Sequence, residues 1–223
     1  VDRVADAEAA FQDLKGDQRE LIAESRLPFE REISVLVARS NKGEIHCFPV
    51  VENVHEAGIL ASSLVPARIS EDLNRKARSI ATQIAQGLQL HGMLAIEMFV
   101  MPDGQLLVNE LAPRPHNSGH YTQDGTNVCQ FEQHLRAICG WPLREPKLHS
   151  PTVMLNLLGE HIPALQAWYV GLPAEAHLHW YGKAEARPGR KMAHINLCAA
   201  SLDEALEELE NWHFRSPPKR IYT

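Results

Sequence analysis

Cysteine is scarce and scattered in this chain: Cys47, Cys129, Cys139 and Cys198 are the only four. Neither the close pairs of a structural zinc site nor the density of a secreted disulfide framework is present, so the thiols read as reduced and the compartment as cytoplasmic. Long apolar runs are missing too. None approaches the roughly 18 to 20 residues that span a bilayer, and the first residues lack a basic segment followed by an apolar one, so no membrane partner is expected. Charge is not gathered into blocks. The 28 acidic and 22 basic residues leave a net charge of −6 with no long like-charge stretch, which argues against a nucleic-acid-binding arm or an acidic tail. Aromatic residues make up only 6% of the chain, yet 223 residues at 44% hydrophobic content suffice for a substantial core, in one large domain or two small ones. The four tryptophans, Trp141, Trp168, Trp180 and Trp212, read as core or interface fillers. An initial methionine is also missing: Val1 leads into VDRVADAEAAF, helical almost at once, and the expectation is that more chain precedes it.

What is present alternates between helical and extended patterning. Residues 5–14 read as a short helix and 21–25 (LIAES) as a buried strand ending in a polar turn at 26–28. The β-rich runs 32–40 and 44–51 are joined by Asn41-Lys42-Gly43, a hairpin turn. From Ser70, an N-cap, Leu73, Ala77, Ile80, Ala81, Ile84 and Leu88 recur at helical spacing, and Gly92 closes the pattern. Next come 93–101, the turn Pro102-Asp103-Gly104, and 105–112, which together read as a second hairpin. A polar, turn-rich stretch over 113–129 precedes a helix over 130–139 that ends at Gly140; loops of that length inside compact domains are usually functional or disordered. Strands over 177–184 and 191–199 and a helix over 202–212 complete the chain.

The second hairpin carries chemistry. A two-residue turn at Asp103-Gly104 sets Glu97 directly opposite Glu110, with Cβ atoms about 4.5 to 5.5 Å apart, where like charges destabilise unless something positive lies between them. Both glutamates stand among apolar residues, where an unpaired charge is costly. A divalent cation resolves the conflict, and oxygen ligands suit Mg²⁺, which takes one or two carboxylates and completes its shell with water and phosphate oxygens. A half-exposed ribbon whose glutamates face solvent fits the spacing equally well.

Directly after the hairpin, the segment from Arg114 to Thr122 packs a guanidinium, two imidazoles, an amide and three hydroxyls into one loop. Such donors suit an anionic ligand, although an ordinary solvated loop has a similar composition. A second basic group, Lys183, Arg187, Arg190 and Lys191, surrounds Pro188-Gly189; it reads as an anion site or as a solubilising turn.

These stretches together resemble the 5-(carboxyamino)imidazole ribonucleotide synthase family of the ATP-grasp superfamily. The resemblance is carried by ENVHEAGIL from Glu52, LLVNELAPRPHNSGHYT from Leu106, QFEQHLRA from Gln130 and YGKAEARPGRKMAHINL from Tyr181. It runs over nearly the whole chain. NELAPRPHNSGH is the specific part, whereas NE with a preceding glutamate is shared by ATP-grasp enzymes generally.

The resemblance implies an α+β ATP-grasp fold and an ATP-dependent C–N ligase of purine biosynthesis. Such an enzyme joins bicarbonate, through carboxyphosphate, to 5-aminoimidazole ribonucleotide, with ATP and Mg²⁺ as cofactors. It assigns Glu97 and Glu110 to Mg²⁺, Asn109 and Glu110 to the nucleotide phosphates, Glu24, Ser25, Arg26 and Leu27 to adenine, and Glu32 to the ribose, with His55 near ATP. Arg114, His116 and Asn117 take the catalytic positions and, with Ser118, the pocket for bicarbonate and the ribonucleotide. Lys183 and Arg190 take the 5′-phosphate. A homodimer is implied as well.

The family's N-terminal α/β domain and the glycine-rich start of its lid have no counterpart here. The expected layout is therefore a lid remnant over 1–28, a core with the metal and nucleotide site over 29–148, and a small C-terminal β-rich subdomain over 149–223. By itself the chain is expected to be inactive, with ~150 further residues upstream in the natural protein. Two other readings remain: an ATP-grasp ligase or transformylase with another acceptor, which need not keep PRPHNSGH, and a non-catalytic nucleotide-binding fragment.

Overall fold

A computed structural model describes residues 3–212; the outer ends of the expected 1–28 and 149–223 segments lie outside the described residues. In chain order the elements are α1 (Ala7–Asp13), β1 (Arg31–Arg39), β2 (Ile45–Cys47), β3 (Val51–Glu56), β4 (Ile59–Val65), α2 (Glu71–Gly87), β5 (Gly92–Val100) and β6 (Leu106–Ala112). They are followed by α3 (Thr122–Gly125), α4 (Gln130–Ile138), β7 (Thr152–Leu158), α5 (Ile162–Trp168), β8 (Ala176–Trp180), β9 (Lys191–Cys198) and α6 (Leu202–Glu210). The strands form one nine-stranded sheet in the order β6-β5-β1-β3-β4-β7-β9-β8, with β2 paired to β1. Each pairing is antiparallel. With the helices set against it, this is the expected α+β arrangement.

Period-two alternation explains how the core is divided. Along β1, Ile33, Val35 and Val37 turn to one face and pack with Ala77, Ala81 and Ala85 of α2. Leu36 and Ala38 turn to the other and pack with Phe48, Tyr121 and Ala137 of α4. A strand covered on both faces reads as a nearly continuous apolar run, as 33–38 does. Further along the sheet, Val153, Leu155, Leu157, Ala193, Ile195 and Leu197 pack under α5 and α6. The intervening residues Asn156, His194 and Asn196 are buried on the opposite face. The sheet runs without interruption from β4 into β7, while the apolar cluster beneath α5 and α6 is distinct from the two around β1.

Several elements differ from expectation. Residues 21–25 form no strand and are exposed; Ile22 is 89% exposed. Their apolar side chains need a facing layer that the described residues do not supply. Helix α2 is capped by Ser70, whose hydroxyl accepts from Leu73 N at 3.3 Å, but it ends at Gly87, before Gly92. The left-handed turn falls on Gln89 at φ 48°. Gly92 serves a different purpose: a Cβ there would lie 2.8 Å from the His134 ring, whose Nδ1 accepts from Met93 N at 3.1 Å. Strands β4 and β7 were not anticipated as separate elements. Trp212 is buried, whereas Trp141 and Trp180 are largely exposed.

Candidate active site

Glu97 and Glu110 do face each other across the β5–β6 ribbon, but not through the expected turn. Pro102, Asp103 and Gly104 form a three-residue loop. Gly104 N donates to Met101 O at 2.8 Å, Met101 N to Gln105 O at 2.9 Å, and Gly104 takes φ +78°. That loop aligns Met98 with Val108 and on its own would put Asn109 opposite Glu97. The register shifts between Glu97 and Met98, so Asn109 bulges out and Glu110 recovers the position. Bulges of this kind re-aim side chains next to functional sites.

Three clefts line up along this end of the sheet. One is walled by Glu24, Ser25, Arg26 and Leu27 together with Phe29 and Asn109. The next shares Phe29 and adds Glu32, Asn53 and His55. The third shares His55 and is walled by Glu97, Glu110, His116, Asn117, Lys183 and Lys191. Residues up to 167 positions apart in the sequence, from Glu24 to Lys191, are thereby drawn into one continuous run. The Phe29 ring stacks on Phe99 with centroids 4.3 Å apart, and the His55 ring meets the Glu32 carboxylate.

Electrostatics in the third cleft favour a bound cation. Burial first, then the charges of Glu110 and Glu32, push the Glu97 carboxyl above the usual range, with His55 opposing. Among the described residues no cluster of three or more histidine, cysteine or carboxylate ligands is present. The opposed pair therefore suits an ion that takes most of its ligands from water and phosphate, as Mg²⁺ does. His116 Nε2 lies 3.6 Å from Glu97 Oε1. Burial, reinforced by Arg114, Lys191 and His55, holds that imidazole down to about 4, so the contact is not an ion pair at neutral pH. Lys191 is pulled below its ordinary value by burial and by Lys183 and Arg114, while Glu97 opposes the shift.

The polar loop is held from two sides. Gln130, at the first position of α4 and fully buried, brackets the His116 main chain: His116 N donates to Oε1 and Nε2 donates to His116 O, both at 2.8 Å. Gly119 makes room for this bracket, since a Cβ there would lie 2.4 Å from Gln130 Oε1 and 2.2 Å from Leu36 Cδ2. On the other side, Asn156 of β7 exchanges amide hydrogen bonds with Asn117 and donates to Leu60 O at 2.9 Å.

Not all of the expected residues reach the cleft. Ser118 is fully buried, with its hydroxyl 3.0 Å from His116 Nδ1, so it supports His116 instead of lining the wall. Arg114 is exposed and donates to Pro115 O at 3.1 Å. Arg190 is exposed and donates to Glu185 O at 3.1 Å. Three residues that sequence reasoning did not assign now stand out. Lys191 lines the cleft, and Gln130 and Asn156 secure its wall. The signal for Asn156 was polar residues at alternate positions of otherwise apolar strands; Lys191 had been grouped only with a basic turn.

Opposed carboxylates on the edge ribbon thus lie beside a cleft walled by Glu24 to Leu27 and beside the polar 113–129 loop. Residues 1–131 match the ATP-grasp domain model, and the chain belongs to that family. Within it, the relatives are N5-carboxyaminoimidazole ribonucleotide synthases. Residues 152–208 match the phosphoribosylaminoimidazole carboxylase C-terminal domain. The chain is 49% identical over 190 residues to the N5-carboxyaminoimidazole ribonucleotide synthase of Bacillus subtilis, covering 85% of this chain and 50% of that protein. The enzyme of that name from Vibrio vulnificus is 50% identical over 178 residues, covering 80% and 45%. The chain thus spans about half the length of these curated relatives.

Solved structures agree. An ADP complex of N5-carboxyaminoimidazole ribonucleotide synthetase superposes with TM-score 0.92 at 47% identity, covering 96% of this chain and 56% of that one. The Aspergillus clavatus synthase, solved with ADP and 5-aminoimidazole ribonucleotide, gives TM-score 0.83 at 32% identity, covering 91% and 56%. No helix among the described residues is long and apolar enough to cross a membrane.

Proposed function

We propose that this chain supplies the metal, nucleotide and acceptor sites of an ATP-dependent ligase. The reaction would carboxylate 5-aminoimidazole ribonucleotide with bicarbonate to N5-carboxyaminoimidazole ribonucleotide, yielding ADP and phosphate. One observation carries the reading: the clefts around Glu24–Leu27, Glu32–His55 and Glu97–Lys191 share walls and run past the opposed carboxylates.

Glu97 and Glu110 hold Mg²⁺, which supplies charge neutralisation at the transferring phosphoryl group. Adenine lies along Glu24, Ser25, Arg26 and Leu27, the ribose hydroxyls against Glu32, and the phosphates toward His55 and Asn109. Phosphoryl transfer to bicarbonate then depends on positioning and charge, with little covalent work for the protein. His116 and Asn117, with Arg114 at the rim, receive the carboxyphosphate formed. A neutral His116, poised below its normal range by burial, offers an acceptor for the proton leaving the attacking amine. Lys183 and Lys191 present ammonium groups to the ribonucleotide phosphate, with Arg190 at the outer edge. Ser118 orients His116.

The division near 148–149 marks the unit that brings Lys183 and Lys191 to the core. The chain spans about half the length of its relatives, which supports a reading in which it acts within a longer protein; we propose in addition that this protein is cytoplasmic and homodimeric and that the chain does not turn over alone. The test is bicarbonate-dependent ADP release by the complete protein. Release should require 5-aminoimidazole ribonucleotide, and release that proceeds equally without it rejects the substrate assignment.

A further inference from the structure

Where β7, β9 and β8 face the 113–129 loop, three imidazoles stand in a column. His194 is paired across the sheet with Asn156 on one side and His179 on the other. Its ring stacks on His179 at 4.5 Å between centroids and 11° between planes, and on His120 at 4.5 Å and 10°. The proposed reaction uses none of the three.

His194 is 1% exposed. Its Nδ1 lies 2.8 Å from the Tyr181 hydroxyl, while its Nε2 is buried with no hydrogen-bond partner among the described residues. A buried polar atom left unpartnered costs about 1–3 kcal/mol. A phenyl ring would fill the same stack without that cost. The atom that distinguishes histidine here is therefore Nδ1, and its use is the bond to Tyr181.

Two connections diverge from this ring. In one direction it stacks on His120, whose Nδ1 lies 3.2 Å from Gln130 Nε2, the same amide that brackets the His116 main chain. In the other, Tyr181 lies beneath the Lys183 ammonium at 5.2 Å from ring centroid to Nζ, and Lys183 donates to Lys191 O. His116 and Lys183 are two walls of one cleft.

We propose that His194 is a positioning residue that fixes the separation of these two walls, holding the His116 loop through His120 and Gln130 and the Lys183 arm through Tyr181. For the identity of the substrate between the walls this rests on the function proposed above; the mechanical link stands without it. The nucleotide clefts beside Glu24 and Glu32 include no member of the column, so losing the link should affect the acceptor and spare ATP.

The test uses the complete protein with His194→Phe, His194→Asn and Tyr181→Phe. Tyr181→Phe removes a single oxygen and is the variant least exposed to folding failure. Tyr181→Phe and His194→Phe should each raise KM for 5-aminoimidazole ribonucleotide about tenfold, one hydrogen bond's worth of binding, with KM for ATP within about twofold. The double variant should do no worse than either single one. His194→Asn, which restores an amide near the Nδ1 position, should recover most of the loss. A loss of stability alone, an equal rise in both KM values, or additive effects in the double variant would overturn the proposal.

Hydrogen exchange separates this link from the substrate assignment. Tyr181→Phe should speed amide exchange across 116–120, on the far side of the column, whichever substrate is bound. Unchanged exchange there rejects the link. A wild-type enzyme indifferent to the ribonucleotide, with exchange at 116–120 still responding to Tyr181→Phe, rejects only the substrate.

Discussion

Asn156 and Asn117 exchange amide hydrogen bonds across the junction between β7 and the polar loop, with Asn117 Nδ2 donating to Asn156 Oδ1 at 3.1 Å and Asn156 Nδ2 returning the bond. Asn156 Nδ2 also donates to Leu60 O at 2.9 Å, so one buried amide ties the loop to two strands. Asn156→Leu keeps the branched outline of the side chain and removes every one of these bonds. Leaving the Leu60 carbonyl and the Asn117 amide unpaired should cost about 1–3 kcal/mol in urea unfolding. A loop free at Asn117 should also lower kcat/KM for the ribonucleotide in the complete protein. An unchanged urea midpoint would show that water replaces the amide at no cost.

The opposed carboxylates give a sharper expectation. Glu110→Gln and Glu97→Gln keep shape but remove the charge that a divalent cation balances. Turnover with Mg²⁺ and ATP should fall about 100-fold or more while circular dichroism is unchanged. In the wild type, Mg²⁺ with ADP should raise the melting temperature, and either substitution should abolish that increase. Near-normal turnover in Glu110→Gln would remove the metal role.

Gly119 has no special backbone angle among the positive-φ glycines, so its requirement is space. A methyl group at 119 would sit 2.2 Å from Leu36 Cδ2 and 2.4 Å from Gln130 Oε1. Leu36 is fully buried in the core beneath α4, which leaves it little room to yield. Gly119→Ala should therefore destabilise by about 1–3 kcal/mol and, by displacing Gln130, weaken acceptor binding more than ATP binding. Thermal unfolding paired with the two KM values checks both parts.

Much of this site was legible because its chemistry is concentrated in short segments. Ser70 and the 73–88 periodicity marked α2, and Asn41-Lys42-Gly43 marked the first hairpin, because local signals specify those elements. Glu97 and Glu110 were paired correctly from a turn that is one residue longer than assumed, the discrepancy being absorbed by the bulge at Asn109. Compensating irregularities of this kind have no signature in hydrophobic alternation. Long-range contacts were hidden for a different reason. The Gln130 bracket on His116 and the Asn156 bond to Asn117 join residues whose proximity depends on how α4 and β7 close over the loop. Residues 21–25 were misread because apolar composition alone implies burial, while burial needs a partner layer. Arg114 and Arg190 have the right chemistry for an anion, yet their guanidinium groups bond to nearby main-chain carbonyls at the rim.

The imidazole column sets a pH response whose sign follows from burial. Desolvation, then the neighbouring His120 and His179, brings His194 to about 2. Desolvation, then Lys191, His116 and His179, brings His120 to about 4. Unfolded histidines titrate near 6.5. Above that value neither state is protonated, and the column's contribution is fully present. As pH falls below about 6.5 the unfolded chain takes up protons that the folded column refuses, so stability declines. The decline continues to about 4 for His120 and further for His194, at up to ~1.4 kcal/mol per pH unit for each group. Carboxylates contribute as well: Glu52 is opposed by burial but held below the usual range by Arg68 and Arg31, and its stabilisation is lost as pH falls through its folded value. The two effects separate in His194→Phe, which removes one titrating group and leaves Glu52 untouched. Urea midpoints measured at pH 7.5, 6.0 and 5.0 should fall more gently in His194→Phe than in the wild type. Parallel declines would mean that His194 is protonated in the folded protein and that the column opens in acid.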